Sequence, residues 1–287
     1  MATPSSSSLQ LDDSLINKAA APGSMRYFAL LYTPAEKRDA VMALYVIDAE
    51  IRESAQSTNH DVAHTRLQWW RQEIDRLVNN NAQHPATRVL AALPDVDRRL
   101  YSQLHELIVA ADMDLARMTY LNLRELRSYA ARSGGTVQEL IARVVTPAPL
   151  DDALRLAANR LGIAIRESEM LRDLRQDAHV GRLYLPLDEL EQASLKIDDL
   201  RAREASPALK QTLIRFHEAI AADFESQSAE FTAASRAYLR PVVVLAALHR
   251  RLLDRIASRG YDVATARIEL GPLEKAWVAW RAARKAS

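Results

Sequence analysis

Residues 151–186 read DDALRLAANRLGIAIRESEMLRDLRQDAHVGRLYLP, and the spacing of the polar residues among them decides the fold. Asp151 or Asp152 is placed to start a helix. With ~100° between successive side chains, Leu154, Ala158, Leu161 and Ile165 share one side, while Leu156, Ile163, Met170 and Leu174 take the opposite side. Between these apolar walls run Arg155, Asn159, Gly162, Arg166, Glu169, Asp173 and Asp177. A helix on the surface of a globular protein has one apolar side. This one has two, so it is expected at the centre of a bundle, its polar strip turned towards an internal cavity. Gly181 suits a left-handed residue after the helix, and Pro186 blocks continuation.

Within the strip, Glu169, Asp173 and Asp177 are spaced by four and stack about a turn apart. Like charges so placed repel and call for a cation. A solvated face, ion pairs with the interleaved Arg172 and Arg175, or half of a Mg²⁺–diphosphate clamp would each supply one. The two apolar walls weaken the first of these.

The rest of the chain supports a helical protein. Seven Gly in 287 residues and 48% hydrophobic residues rich in Ala and Leu favour helix throughout. Thirty-eight Lys and Arg against 37 Asp and Glu leave a formal charge of +1, which gives no bulk field for nucleic acid. The absence of Cys excludes disulfides and thiolate chemistry and fits a reducing compartment. No apolar run nears the ~20 residues of a membrane-spanning helix, and the start lacks the basic and apolar regions of a signal peptide. The expected location is cytoplasmic, with peripheral membrane association left open because no segment shows it. A Ser-rich tail over 1–23 is expected to be disordered, followed by one helical domain over 24–287.

Thr33 as N-cap, Pro34 in the first turn and Glu36 in the capping-box position predict a helix start. Its broad face carries Val41, Leu44, Tyr45, Asp48, Ile51, Arg52 and Ala55, so Asp48 and Arg52 stand where apolar residues belong. They could pair with each other, or Arg52 could reach Asp173. A helix from Asp61 to the Asn run at 79–81 follows, then helices near 85–93 and 95–115. Asn122 and Glu125 form a capping box, and Gly134–Gly135 mark a kink or a close backbone approach. His60 and His64 have metal-compatible spacing but no third ligand, which favours a surface pair.

EMLRDLRQDAHVGRLYLP at 169–186, YFALLYTPAEKRDAVMALYVIDAEI at 27–51 and MDLARMTYLNLRELRSYAARSGGTV at 113–137 together resemble the squalene/phytoene synthase family. The resemblance spans roughly 24–285. It implies an all-α, single-domain isoprenoid-synthase bundle around a central cavity and head-to-head joining of two prenyl diphosphates. Two facing acidic clusters would hold Mg²⁺, a hard cation bound by carboxylates and substrate phosphates, and an apolar tunnel would shield a carbocation. By this resemblance Glu169, Asp173 and Asp177 are the second metal cluster. Asp173, Asp177 and Tyr45 would be catalytic, and Arg26, Arg52, Glu53, Tyr129, Arg166, Arg172, Arg182 and Tyr184 would contact substrate.

The first cluster reads D-D-x-x-D in active members, whereas Arg52, Glu53 and Gln56 occupy those positions here. A guanidinium in place of a carboxylate puts donors where metal acceptors belong, so Mg²⁺ affinity should fall. RLQWWR at 66–71 is similar to divergent members that include a mitochondrial complex I assembly factor, although paired Trp are ordinarily packing residues. The resemblance thus implies a catalytically reduced member that binds a prenyl diphosphate or another lipid phosphate, or acts in protein assembly. The alternative is an active Mg²⁺-dependent head-to-head prenyltransferase. No protein partner can be named from the sequence.

Overall fold

The computed structural model describes residues 11–94, 96–147, 149–263 and 267–285, and every regular element among them is helical. α1 (Asp13–Ala20) and α2 (Met25–Leu31) lead through a single 3₁₀ turn at Ala35–Lys37 into α3 (Arg38–Ser54). α4 (His60–Val78) and α5 (Pro85–Ala91) follow, then a 3₁₀ stretch at Arg98–Leu104 that runs into α6 (His105–Leu115). α7 (Leu123–Ala130) passes through a π-helical turn at Ala131–Gly135 into α8 (Thr136–Val145). α9 (Asp152–His179) is the longest helix, at 28 residues. The short α10 (Leu187–Gln192) and α11 (Ile197–Arg201) precede α12 (Pro207–Ala229), α13 (Ala233–Tyr238), α14 (Arg240–Ser258) and α15 (Pro272–Lys285).

α9 is central, as its two apolar sides require: it packs against α8, α12, α14, α7, α11 and the π-helical turn. Asp151 caps it by accepting from the Leu154 amide at 2.8 Å. Leu154, Ala158, Leu161, Ile165, Met170 and Leu174 all enter one continuous core. Leu156 does not; it lies near the start of the helix and is exposed.

The glycine pair does what its position suggested. A Cβ on Gly162 would lie 2.2 Å from the Gly134 carbonyl oxygen, and one on Gly134 would lie 2.3 Å from the Gly162 carbonyl oxygen. The π turn and α9 therefore touch backbone to backbone, an approach that any side chain would prevent. This contact fixes the height of α9 relative to α7 and α8, and with it the level at which the acidic row emerges.

Three local expectations need correction. Residues 13–20 fall inside the stretch assigned to a disordered tail, yet they form α1, capped by Asp12 and packed on α3. Residues 1–10 lie outside the described residues. Thr33 does not cap a helix: its hydroxyl turns back to the Ala29 carbonyl at 3.2 Å, and α3 begins only at Arg38 after the 3₁₀ turn. α4 starts at His60, because Asn59 accepts from the Asp61 and Val62 amides.

Candidate functional site

The C-terminal half of α9, the ends of α3 and α6, the segment after α9 and Arg267 enclose an open basin of about 810 Å³. Its charged lining is Arg52, Arg117, Arg166, Arg172, Arg182, Arg201 and Arg267 against Asp114, Glu169, Asp173 and Asp177. Cations exceed anions by three.

Arg52 stands at the junction of the two walls. Its Nε donates to Asp48 Oδ1 at 2.8 Å and its Nη1 to Glu169 Oε2 at 3.2 Å. Arg26 donates to the other oxygen of Asp48, which is 1% exposed. A buried carboxylate survives ionised only when paired in this way. Burial raises the proton affinity of Asp48, but Arg52 and then Arg26 overcome it and hold the carboxyl below its usual range. The same contest at Glu169, burial against Arg52 and Arg166, ends with its carboxyl far below the ordinary value.

Arg166 extends the chain of contacts. It donates to Glu169 at 3.3 Å, to Tyr129 Oη at 2.9 Å and to Tyr184 Oη at 3.3 Å. Both tyrosines in turn donate to Asp114, at 2.8 and 2.7 Å. Burial first, and the Asp114 charge among the lesser causes, keeps both phenols protonated by raising them above their normal range. A continuous relay thus runs from Arg26 through Asp48, Arg52, Glu169, Arg166 and the tyrosines to Asp114, with guanidinium and carboxylate alternating along its charged part.

The other two acids of the row have different neighbours. Arg172 chelates Asp173 through Nε at 2.9 Å and Nη2 at 2.5 Å, and Arg267 donates to it at 2.8 Å. Burial opposes this, yet the two guanidiniums hold Asp173 below its usual value. The Asp177 carboxylate has no hydrogen-bond partner among the described residues. Burial first, then the repulsion of Asp173 and Asp114 working against Arg166 and Arg182, leaves it raised to about 6.

These donors do not fit Mg²⁺. The ion needs several carboxylate or water oxygens free to coordinate it, whereas Glu169 and Asp173 are each committed to two guanidiniums and Asp114, the acid that reaches Asp177 from another helix, is taken up by the Tyr129 and Tyr184 hydroxyls. Among the described residues no group of three or more His, Asp or Glu is arranged to hold a metal.

The structure gathers Arg52, Arg166, Glu169, Arg172, Asp173, Asp177, Arg182 and Tyr184 around the basin, with Tyr129 just behind. Three other expected site residues lie elsewhere. Glu53 turns away to meet Lys18 of α1 at 2.6 Å. Tyr45 is wholly buried, its ring under the Arg26 guanidinium at 4.8 Å, and burial raises its phenol to about 12. Arg26 acts from the far side of Asp48 and lines an adjoining recess of about 430 Å³ with Lys18 and Lys275, which shares Glu169, Arg172 and Arg267 with the basin. Arg52 pairs with Asp48 and reaches Glu169, so the alternative contact to Asp173 is not made. His60 stands on the basin rim with an exposed side chain, and His64 is not part of the lining.

Asp114, Arg117, Arg201 and Arg267 were missed. Asp114 and Arg117 lie in MDLAR, at a helix end and at the start of the 113–137 stretch that carries the resemblance, and these were the signals they offered; Arg201 and Arg267 offered none. Behind Glu169 the interior opens only to a void of about 10 Å³ edged by Gly134, Val137, Ile165 and Leu245, room for about one water.

Residues 19–274 match the squalene/phytoene synthase family. The chain is 30% identical over 260 residues to a phytoene synthase of Mycobacterium tuberculosis, covering 88% of this chain and 84% of that one. It is 32% identical over 262 residues to phytoene synthase 1 of Arabidopsis thaliana, covering 86% and 59% respectively. In structure it is similar to a dehydrosqualene synthase (TM-score 0.79, 17% identity, 94% and 93% of the two chains). It is also similar to a squalene synthase, HpnC, from Alicyclobacillus acidocaldarius (TM-score 0.74, 22% identity, 86% and 92%). The all-helical bundle and the acidic row on its central helix thus define an isoprenoid-synthase-like protein. The chain belongs to the squalene/phytoene synthase family.

Proposed function

We propose that this protein binds the anionic head of a prenyl diphosphate or a related lipid phosphate directly through arginine, without the metal-assisted ionisation that prenyl transfer requires. The observation that carries this reading is Arg52, at a first-cluster position, bonded to Asp48 and Glu169 inside a basin with three excess cations. Among the described residues Arg117 has no carboxylate partner, and the one side-chain hydrogen bond of Arg182 goes to the Ala55 carbonyl at 3.2 Å. Both therefore keep donors for phosphate oxygens, which a guanidinium meets with paired N–H groups.

Two features oppose turnover. Without a metal, the negative charge that builds on a leaving diphosphate lacks its strongest stabiliser. The void behind Glu169 is only about 10 Å³, so a prenyl chain has little room there and a carbocation at the basin would meet water. The basin recognises a head group, and the hydrocarbon is left outside it.

Calorimetric titration with inorganic diphosphate and with farnesyl diphosphate tests this. Binding should persist in EDTA, and Arg117→Ala with Arg182→Ala should weaken it about tenfold or more. Diphosphate release in Mg²⁺ that Asp173→Ala abolishes would establish the active prenyltransferase instead. Restoring Asp at 52, 53 and 56 together should create Mg²⁺ binding that the native protein lacks.

A further inference from the structure

We propose that the outward face of α15 docks on an anionic lipid surface. Leu273, Trp277 and Trp280 recur at the spacing of one helix face and are 88%, 54% and 47% exposed. The opposite face, with Val278, Ala279, Ala282 and Ala283, is buried and packs on α14 and α2. Glu274 is held by Arg251 at 2.7 Å and Arg255 at 2.5 Å, and Lys275 donates to the Gly23 carbonyl at 3.0 Å, so the helix is fixed with its aromatic side outward.

The same face ends in cations. The Arg281 guanidinium lies 5.2 Å from the Trp277 ring centre and that of Arg284 lies 4.9 Å from the Trp280 ring centre. Arg281, Arg284 and Lys285 have no carboxylate partner among the described residues. Indole rings with a polar edge beside unpaired guanidiniums suit the junction of acyl chains and anionic head groups. A second copy of this chain suits them poorly, since a two-fold contact through this face would set cation against cation.

The patch continues into a groove of about 490 Å³ between α12, α14 and α15, walled by Phe224, Phe231, Val243 and Val278 and reached past Trp277 and Arg281. Apolar depth beside a cationic rim is what a lipid with a negative head would fill. No helix among the described residues is long and apolar enough to cross a membrane, so contact through α15 is peripheral. This inference does not depend on the arginine basin.

Co-sedimentation with vesicles of phosphatidylcholine, with and without phosphatidylglycerol, tests it. Binding should require the anionic lipid and weaken with salt. Neutralising Arg281, Arg284 and Lys285 to Gln should lower it about a hundredfold, at roughly tenfold or less for each charge, while the Lys variants of the two arginines keep it. Trp277→Ala with Trp280→Ala should lower it as well and remove a blue shift in tryptophan emission. All these side chains are exposed, so thermal unfolding should not move. Equal binding to both vesicle types, no binding to either, or a dimer that the Trp variants split would each overturn the proposal.

Discussion

The two halves of α9 hold their neighbours by different physics. Upstream, Gly162 meets the π turn at Gly134 with no space between backbones, and Asn159 and Arg155 turn to Glu139 of α8 at 3.1 and 3.4 Å rather than to a cavity. Downstream, the contacts are side-chain charges around an open basin. Backbone packing leaves little choice of residue, because one added methyl must displace a helix. Charge networks can be rewired as long as each buried ion keeps a partner. A fold can therefore persist while the chemistry at one end of its central helix changes.

The sharpest way to break this contrast is Gly162→Ala. The new Cβ would overlap a backbone oxygen, and a loss of about 3 kcal/mol or more is expected, read as a large drop in the denaturation midpoint. A variant that unfolds like wild type would show that the upstream contact is loose.

Next in size is Arg52→Ala, which strands Asp48 beside Arg26 alone and takes one of two cations from Glu169. A cost of about 3 kcal/mol at neutral pH is expected from urea unfolding. Asp48 and Glu169 both have lowered folded-state values, so their contribution is present above the ordinary carboxylate range and disappears as pH falls through the folded values. The difference between variant and wild type should shrink in acid. A constant difference down to low pH would mean that Arg52 acts by packing.

Asp177→Asn has the opposite sign. Its folded value is raised to about 6, so the folded form resists ionisation. The penalty is absent below the unfolded value near 4 and complete above about 6. The Asn variant should gain about 1 to 2 kcal/mol at pH 8 and nothing at pH 4. Stabilisation that ignores pH would break the assignment.

The smallest effect belongs to Glu53. Its pair with Lys18 is exposed, and Glu53→Ala should change stability by less than about 0.5 kcal/mol. Phosphate binding should be unchanged, which would place the residue outside the basin. A lost affinity would put it back in the site.

Helix content, the central place of α9 and the glycine approach were legible because each depends on local spacing. Two apolar sides on one helix can only be buried between neighbours, and adjacent glycines in a helical run have few other uses. The acidic row was legible for the same reason. Its partners were legible only in part. Arg52 and Arg172 stood beside their acids in the chain, so pairing could be anticipated. Arg267 reaches Asp173 from 94 positions away, and no local pattern marks it. Glu53 was misplaced because a residue adjacent to Arg52 on a helix points about 100° away from it, towards a helix the sequence reading had assigned to a disordered tail.

By itself the sequence determined an all-helical chain, its central helix and the charges carried on each element, since periodicity and side-chain chemistry are local properties. Only the tertiary structure decided which of those charges meet, that Glu169 and Asp173 are each taken up by two guanidiniums, and that Asp177 is left without a guanidinium hydrogen bond among the described residues. The reason is distance: an ion pair forms over a few ångströms, and the chain brings together residues it separates by a hundred positions only when it folds.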